Sequence, residues 1–211
     1  MEGQPGLTKR VLIPFATSTI LCCLTAGIIM AQNEKTAPQP PPKTAAQATE
    51  TPTPPSANPA DVSSMDAIIA AVYDVISGPA GKKRDWDRMR SLFVPGARLI
   101  PTGARQTGGY NSRVLTVEDY VTRGSVFFEK EGFYEQEAAR QTEMFGQIAH
   151  VFSTYESRHS PDDAKPFQRG INSIQLMNDG KRWWIVTIFW QAEDEKNRLP
   201  EKYLKSKSSG A

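Results

Sequence analysis

Residues 170–191 read "GINSIQLMNDGKRWWIVTIFWQ". Two apolar-rich runs flank Asn178-Asp179-Gly180, a tight hairpin signal, so the stretch predicts two antiparallel strands. Under strict alternation Trp183, Ile185, Thr187 and Phe189 share one face of the second strand, and Trp184, Val186, Ile188 and Trp190 share the other. Both faces are apolar, so both need cover. Helices can cover one, and a second copy of the chain is the natural cover for the other, which predicts a homodimer through the outer sheet face.

Upstream of the hairpin the same period of two continues. "FYEQEAARQTEMFG" (133–146) and "QIAHVFSTYESR" (147–158) alternate, giving four successive long antiparallel strands with "HSPDDAKP" as the middle loop. Before Gly132 the period is helical. "SSMDAIIAAVYDVISG" places Met65, Ile68, Ile69, Val72, Tyr73 and Ile76 on one face, with Ser63-x-x-Asp66 as a capping box and Gly78-Pro79 as a stop. "RDWDRMRSLF" predicts a second helix with Trp86, Met89 and Phe93 on one face. "ARLIP" and "RVLTV" predict short strands. Thr116-x-x-Asp119 caps a third helix with Val117, Tyr120, Val121 and Phe127 inward. Helices first and a long meander afterwards describe an α+β domain over residues 61–192.

That order, with "LFVPGARLI" at the helix-to-strand junction and "DG-x-x-W-x-I-V" in the last hairpin, resembles the nuclear transport factor 2-like superfamily, within it the SnoaL-like (polyketide-cyclase-like) group. The resemblance implies a cone-shaped, curved, antiparallel or mixed sheet wrapped around three N-terminal helices. It also implies a pocket at the open end and frequent dimers through the outer face. The superfamily holds isomerases, cyclases, dehydratases, epoxide hydrolases and proteins without catalysis, so the fold alone does not name a reaction.

The resemblance makes Tyr73 the candidate phenol, because isomerase-like members carry a Tyr on their first helix. Their Asp base is not matched by type, since the acids inside the four strands are Glu135, Glu137, Glu143 and Glu156. An Asp-Arg-Asp set like that of the epoxide hydrolases cannot be traced. On "QIAHVFSTYESR", Ala149, Val151, Ser153, Tyr155 and Ser157 form one ladder; His150, Phe152, Thr154, Glu156 and Arg158 form the other. The second ladder could line a polar pocket with His150 as acid or base, or pair Glu156 with Arg158 on an outer face. Asn172 and Gln175 lie on opposite faces of their strand, and either can supply a hydrogen bond. The candidate pocket set is therefore Tyr73, His150, Thr154, Glu156, Arg158 and Asn172. An enzyme of this type requires a cavity of roughly 300–1,000 Å³ with a His or Glu of shifted pKa among apolar walls. A cavity filled by aromatic side chains would rule that reading out, and the rival reading, a non-catalytic interaction or scaffold module of the cell envelope, requires a closed cone and a large apolar outer surface used for association.

Composition bounds the rest. The chain has 211 residues, 39% hydrophobic, with a formal net charge of +2, which lacks the concentrated basic face of a nucleic-acid binder. Its two cysteines, Cys22 and Cys23, are adjacent and lie in the first apolar run; its two histidines, His150 and His159, have no metal-ligand spacing. No metal or cofactor is therefore expected. Lys9-Arg10, the apolar run that follows and the small Ala31 describe an export segment over residues 1–31, either a cleaved signal peptide or an uncleaved membrane anchor. The domain is accordingly expected outside the cytoplasm, periplasmic or extracellular or held at the envelope, with membrane contact only through that segment. Residues 32–60 are Pro/Thr/Ala-rich without an aromatic or large aliphatic side chain, a disordered spacer. Residues 193–211 read as a charged flexible tail. The leading expectation is an exported domain that binds a small, largely apolar molecule in its cone.

Overall fold

The computed structural model describes residues 53–205. The expected export segment, most of the expected spacer and the end of the tail lie outside the described residues.

The chain enters through a short helix, α1 (Pro59–Val62), and then α2 (Met65–Ile76). The Ser64 hydroxyl caps α2 by accepting from the Ala67 N–H at 3.0 Å, one residue later than the sequence suggests, because Ser63 closes α1. The apolar stripe of α2 is buried as its spacing requires, with Ile68, Ile69 and Val72 inward. Past its end the Arg84 side chain, itself buried, gathers the loop. It donates to the carbonyls of Ile76, Gly78, Pro79 and Lys82 and stacks on the Phe128 ring at 4.8 Å. Helix α3 (Trp86–Leu92), capped by Asp85, runs directly into strand β1 (Phe93–Ala104).

Strand β2 (Tyr110–Ser112) returns against β1. The strand expected at "RVLTV" is only a bridge between Leu99 and Leu115. Helix α4 (Val117–Lys130) opens with the expected capping box, the Thr116 hydroxyl accepting from Asp119 N–H at 3.0 Å and the Asp119 carboxylate from Thr116 N–H at 2.9 Å. Its inward aromatic is Phe128 (4% exposed) rather than Phe127 (42%), a rotation of one residue around the helix.

The meander follows as β3 (Tyr134–Phe145), β4 (Ile148–Arg158), β5 (Gln168–Asn178) and β6 (Trp183–Ala192). The sheet order is β2-β1-β6-β5-β4-β3, with β1 parallel to β6 and every other pair antiparallel. This is the α+β architecture expected from the sequence: a mixed six-stranded sheet with the N-terminal helices on one face, left open at β2 and β3. Register shifts in the β1–β6, β3–β4 and β5–β6 ladders mark the bulges that bend it.

One bulge overturns the two-face reading of the tryptophan strand. Gln175 pairs with Thr187 and Leu176 with Ile185, so Val186 is the extra residue and parity reverses across it. Trp183 and Ile185 therefore share the helix-facing side with Ile188 and Trp190, and Phe189 falls outside, 46% exposed. At the turn the Asp179 carboxylate accepts from the N–H groups of Lys181 and Arg182 and from the Trp184 indole, while Arg182 stacks over that indole at 3.6 Å. The tail is engaged as far as it is described. In the turn η1 (Glu201–Tyr203) the Tyr203 ring meets Phe152 at 5.1 Å between centroids, and Gln141 donates to the carbonyls of Lys202 and Lys205. The chain itself thus covers part of the outer sheet face.

Among the described residues no helix is long and apolar enough to cross a membrane, and no group of three or more His, Cys, Asp or Glu could hold a metal ion.

Candidate functional site

Between the helices and the concave side of the sheet lies a cavity of about 330 Å³. Its walls are mostly apolar: Val72 and Ile76 from α2, Leu99 from β1, Leu115, Ile174 from β5, and Ile188 and Trp190 from β6. Tyr120 of α4 stands edge-on to Trp190, with centroids 6.4 Å apart. At one side of this chamber five polar residues gather from three adjacent strands and α2: Glu135, Ser153, Tyr155, Asn172 and Tyr73. Four of them line the cavity, and Ser153 sits fully buried behind Tyr73.

Their hydrogen bonds have a direction. Ser153 donates its hydroxyl proton to Glu137 at 2.6 Å, so it can only accept from Tyr73, 2.7 Å away. The Tyr73 oxygen in turn accepts from the Asn172 amide at 3.0 Å. The phenol proton of Tyr73 is therefore committed to Ser153 and is not offered to the cavity. Tyr155 is in the opposite condition. Its side chain lines the same cavity, and its hydroxyl is buried and has no hydrogen-bond partner among the described residues. Buried hydroxyls are nearly always satisfied, so an orphan on a side chain that walls a cavity is a candidate partner for a ligand atom.

Glu135 is the carboxyl of the site. It accepts from Ser157 at 2.8 Å and, weakly, from Asn172 at 3.4 Å. Burial pushes its pKa from the ordinary 4.5 up to about 7, against the pull of those two donors. The surface it retains faces the cavity and a groove along β3 that Tyr73 and Glu137 also line. Burial first, and then the neighbouring Glu135, push the Tyr73 and Tyr155 phenols well above their usual range, so both stay protonated. A carboxyl whose pKa is raised to about 7 and a tyrosine with an unpartnered hydroxyl thus wall one apolar chamber.

Of the six candidate residues read from the sequence, Tyr73 and Asn172 meet in this cavity. His150, Thr154, Glu156 and Arg158 do not line it. Their ladder lies on the outer side, although Arg158 at its end also borders the β3 groove, and the uncharged ladder of Ala149, Val151, Ser153, Tyr155 and Ser157 faces in. The physical reason is cost, since a ladder with a carboxylate and a guanidinium is the cheaper one to leave outside. There His150 bonds Ser173 at 2.9 Å, Glu156 pairs with Arg158 at 2.8 Å, and Thr154 lies under Tyr203, to whose carbonyl it donates. Glu135 and Tyr155 were not among the candidates. The charge contrast between the two β4 ladders was the signal that could have found Tyr155, and the pairing of Glu135 with Ser157 then places the carboxyl on the same side.

No protein-family model matches the chain, and no curated protein matches it. Solved structures similar to it include an NTF2-like protein of unknown function from Pseudomonas putida KT2440, at 11% identity and a TM-score of 0.47, covering 65% of this chain and 92% of that one. A cystatin-like-fold protein of unknown function from Nostoc punctiforme PCC 73102 is 10% identical with a TM-score of 0.46, covering 60% and 86%. An uncharacterised cystatin-like-fold protein from Caulobacter vibrioides is 11% identical with a TM-score of 0.44, covering 64% and 90%. The likeness is one of fold and does not distinguish a SnoaL-like subgroup.

Proposed function

We propose that the domain binds a small, largely apolar molecule that presents an oxygen to Tyr155, and that Glu135 exchanges a proton with the bound molecule. The observation that carries this reading is that Tyr155, whose buried hydroxyl has no partner among the described residues, walls the same cavity as a carboxyl whose pKa is raised to about 7. Such a carboxyl is deprotonated often enough to act as a base and protonated often enough to return the proton, the condition for general acid–base work near neutral pH. Tyr155 supplies the hydrogen bond that holds the oxygen and takes up charge developing on it. Tyr73, Ser153 and Asn172 hold the frame. Export by the N-terminal segment and pairing of two copies through the outer sheet face, where Phe189 is exposed, belong to the same proposal.

The test is titration of isotopically labelled protein with 2-naphthol, followed by ¹H–¹⁵N NMR. The Trp190 indole and the Asn172 side-chain amide are expected to shift, while the Trp184 indole at the hairpin turn stays in place. No shift, or shifts confined to Trp184 and the outer face, would overturn the reading.

A further inference from the structure

The groups around the cavity's opening bear on what kind of molecule it takes. Arg113 follows β2 directly, its backbone N–H on the Pro101 carbonyl at 3.1 Å, and Arg123 lies in the middle of α4. Both line the cavity and both are solvent-exposed, which places them at its mouth. Neither guanidinium makes a hydrogen bond or an ion pair among the described residues. The electrostatic neighbour of Arg123 is Asp119 one turn earlier, whose carboxylate is engaged with the backbone and hydroxyl of Thr116. Elsewhere arginines are ion-paired, Arg88 with Asp61 and Arg90 with Glu118. Phe127 and Phe133 line the same cavity. Two cations from different elements, neither in an ion pair among the described residues, thus rim an apolar chamber.

We propose that the ligand is an apolar carboxylate, its hydrocarbon body in the cavity and its head group on Arg113 and Arg123. This rests on the reading of the cavity as a small-molecule site and adds the head group to it. A planar guanidinium accepts a carboxylate through two parallel N–H donors, and two such groups at one opening fix the orientation of an elongated ligand. With the head at the mouth, the far end of the molecule is the one that reaches Tyr155 and Glu135. The substrate class is accordingly an apolar acid carrying a second oxygen, as hydroxyl or carbonyl, remote from its carboxylate.

The experiment compares 6-hydroxy-2-naphthoate with its neutral isostere 6-hydroxy-2-naphthamide by titration calorimetry, with 2-naphthol as the head-less reference. The naphthoate is expected to bind roughly five- to tenfold more tightly than the amide at low salt, the preference shrinking as salt is added. In the Arg113→Gln/Arg123→Gln variant that preference is expected to fall to about twofold or less. Neither side chain holds another element, and 2-naphthol binding reports whether the variant's cavity is intact. Equal affinity for naphthoate and amide in the unaltered protein, or a preference that survives the double substitution, would overturn the head-group proposal while leaving the cavity reading standing. Failure of all three compounds to bind would instead overturn the cavity reading.

Discussion

Replacing Glu135 by Gln should make the stability of this domain less dependent on pH, and the size of the effect follows from its burial. Folding raises the carboxyl pKa from 4.5 to about 7, so the folded state holds this proton more tightly than the unfolded chain does. Stability therefore falls as pH rises through the window between those two values, and the loss is complete above the folded pKa. A shift of that size corresponds to about 3 kcal/mol in all, most of which develops between pH 5 and 8.5. Gln has the same shape but no proton to lose. It must rearrange one of the bonds from Ser157 and Asn172, a cost that is constant with pH. The difference in unfolding free energy between Glu135→Gln and the unaltered protein should thus move in favour of the variant by about 2–3 kcal/mol across that window, roughly 10 °C in Tm. Urea unfolding at half-unit pH steps measures it directly. A difference that stays flat from pH 5 to 8.5 would show that Glu135 titrates as an ordinary carboxylate, and the acid–base reading would fall with it.

The two tyrosines of the cavity should respond in opposite ways. Tyr155→Phe removes an unpaired hydroxyl, so stability should hold or rise by up to about 1 kcal/mol while 2-naphthol affinity drops about five- to tenfold; Tyr73→Phe removes the buried hydrogen bonds of its hydroxyl with Ser153 and Asn172 and should cost about 1–3 kcal/mol in urea unfolding. Arg84→Ala leaves four loop carbonyls without their shared donor and should lower stability by about 3 kcal/mol or more, seen as an earlier urea midpoint. Gly170→Ala would place a Cβ 2.3 Å from the Gln191 carbonyl oxygen and 2.6 Å from the Tyr155 hydroxyl. It should destabilise by about 2 kcal/mol or more and, by displacing Tyr155, weaken 2-naphthol binding in the same calorimetric assay.

Much of the fold is legible in the residues because its signals are local. The Thr116/Asp119 capping box, the apolar stripe of α2, the turn at Asn178-Asp179-Gly180 and the period-two runs from 133 onward each act through neighbours a few residues away, and each forms where the spacing puts it. The side-chain directions that make the site are another matter. Alternation fixes which residues share a face only while the ladder is unbroken. A bulge at Val186 moved Ile188 and Trp190 to the inner side with Trp183, a change no run of apolar residues signals. The inward ladder of β4 was set by which face the helices cover, a long-range choice that sent His150, Thr154, Glu156 and Arg158 outside.

By itself, then, the sequence determined the three main helices and the four long strands, their order, the helix-first architecture and the presence of Tyr73 and Asn172 on positions able to meet. Only the tertiary structure decided that Glu135 and Tyr155 share a cavity, because their pKa shift and missing partner arise from burial among residues far apart in the chain. Periodicity acts within a segment, whereas desolvation and unsatisfied hydrogen bonds exist only once the segments are packed together.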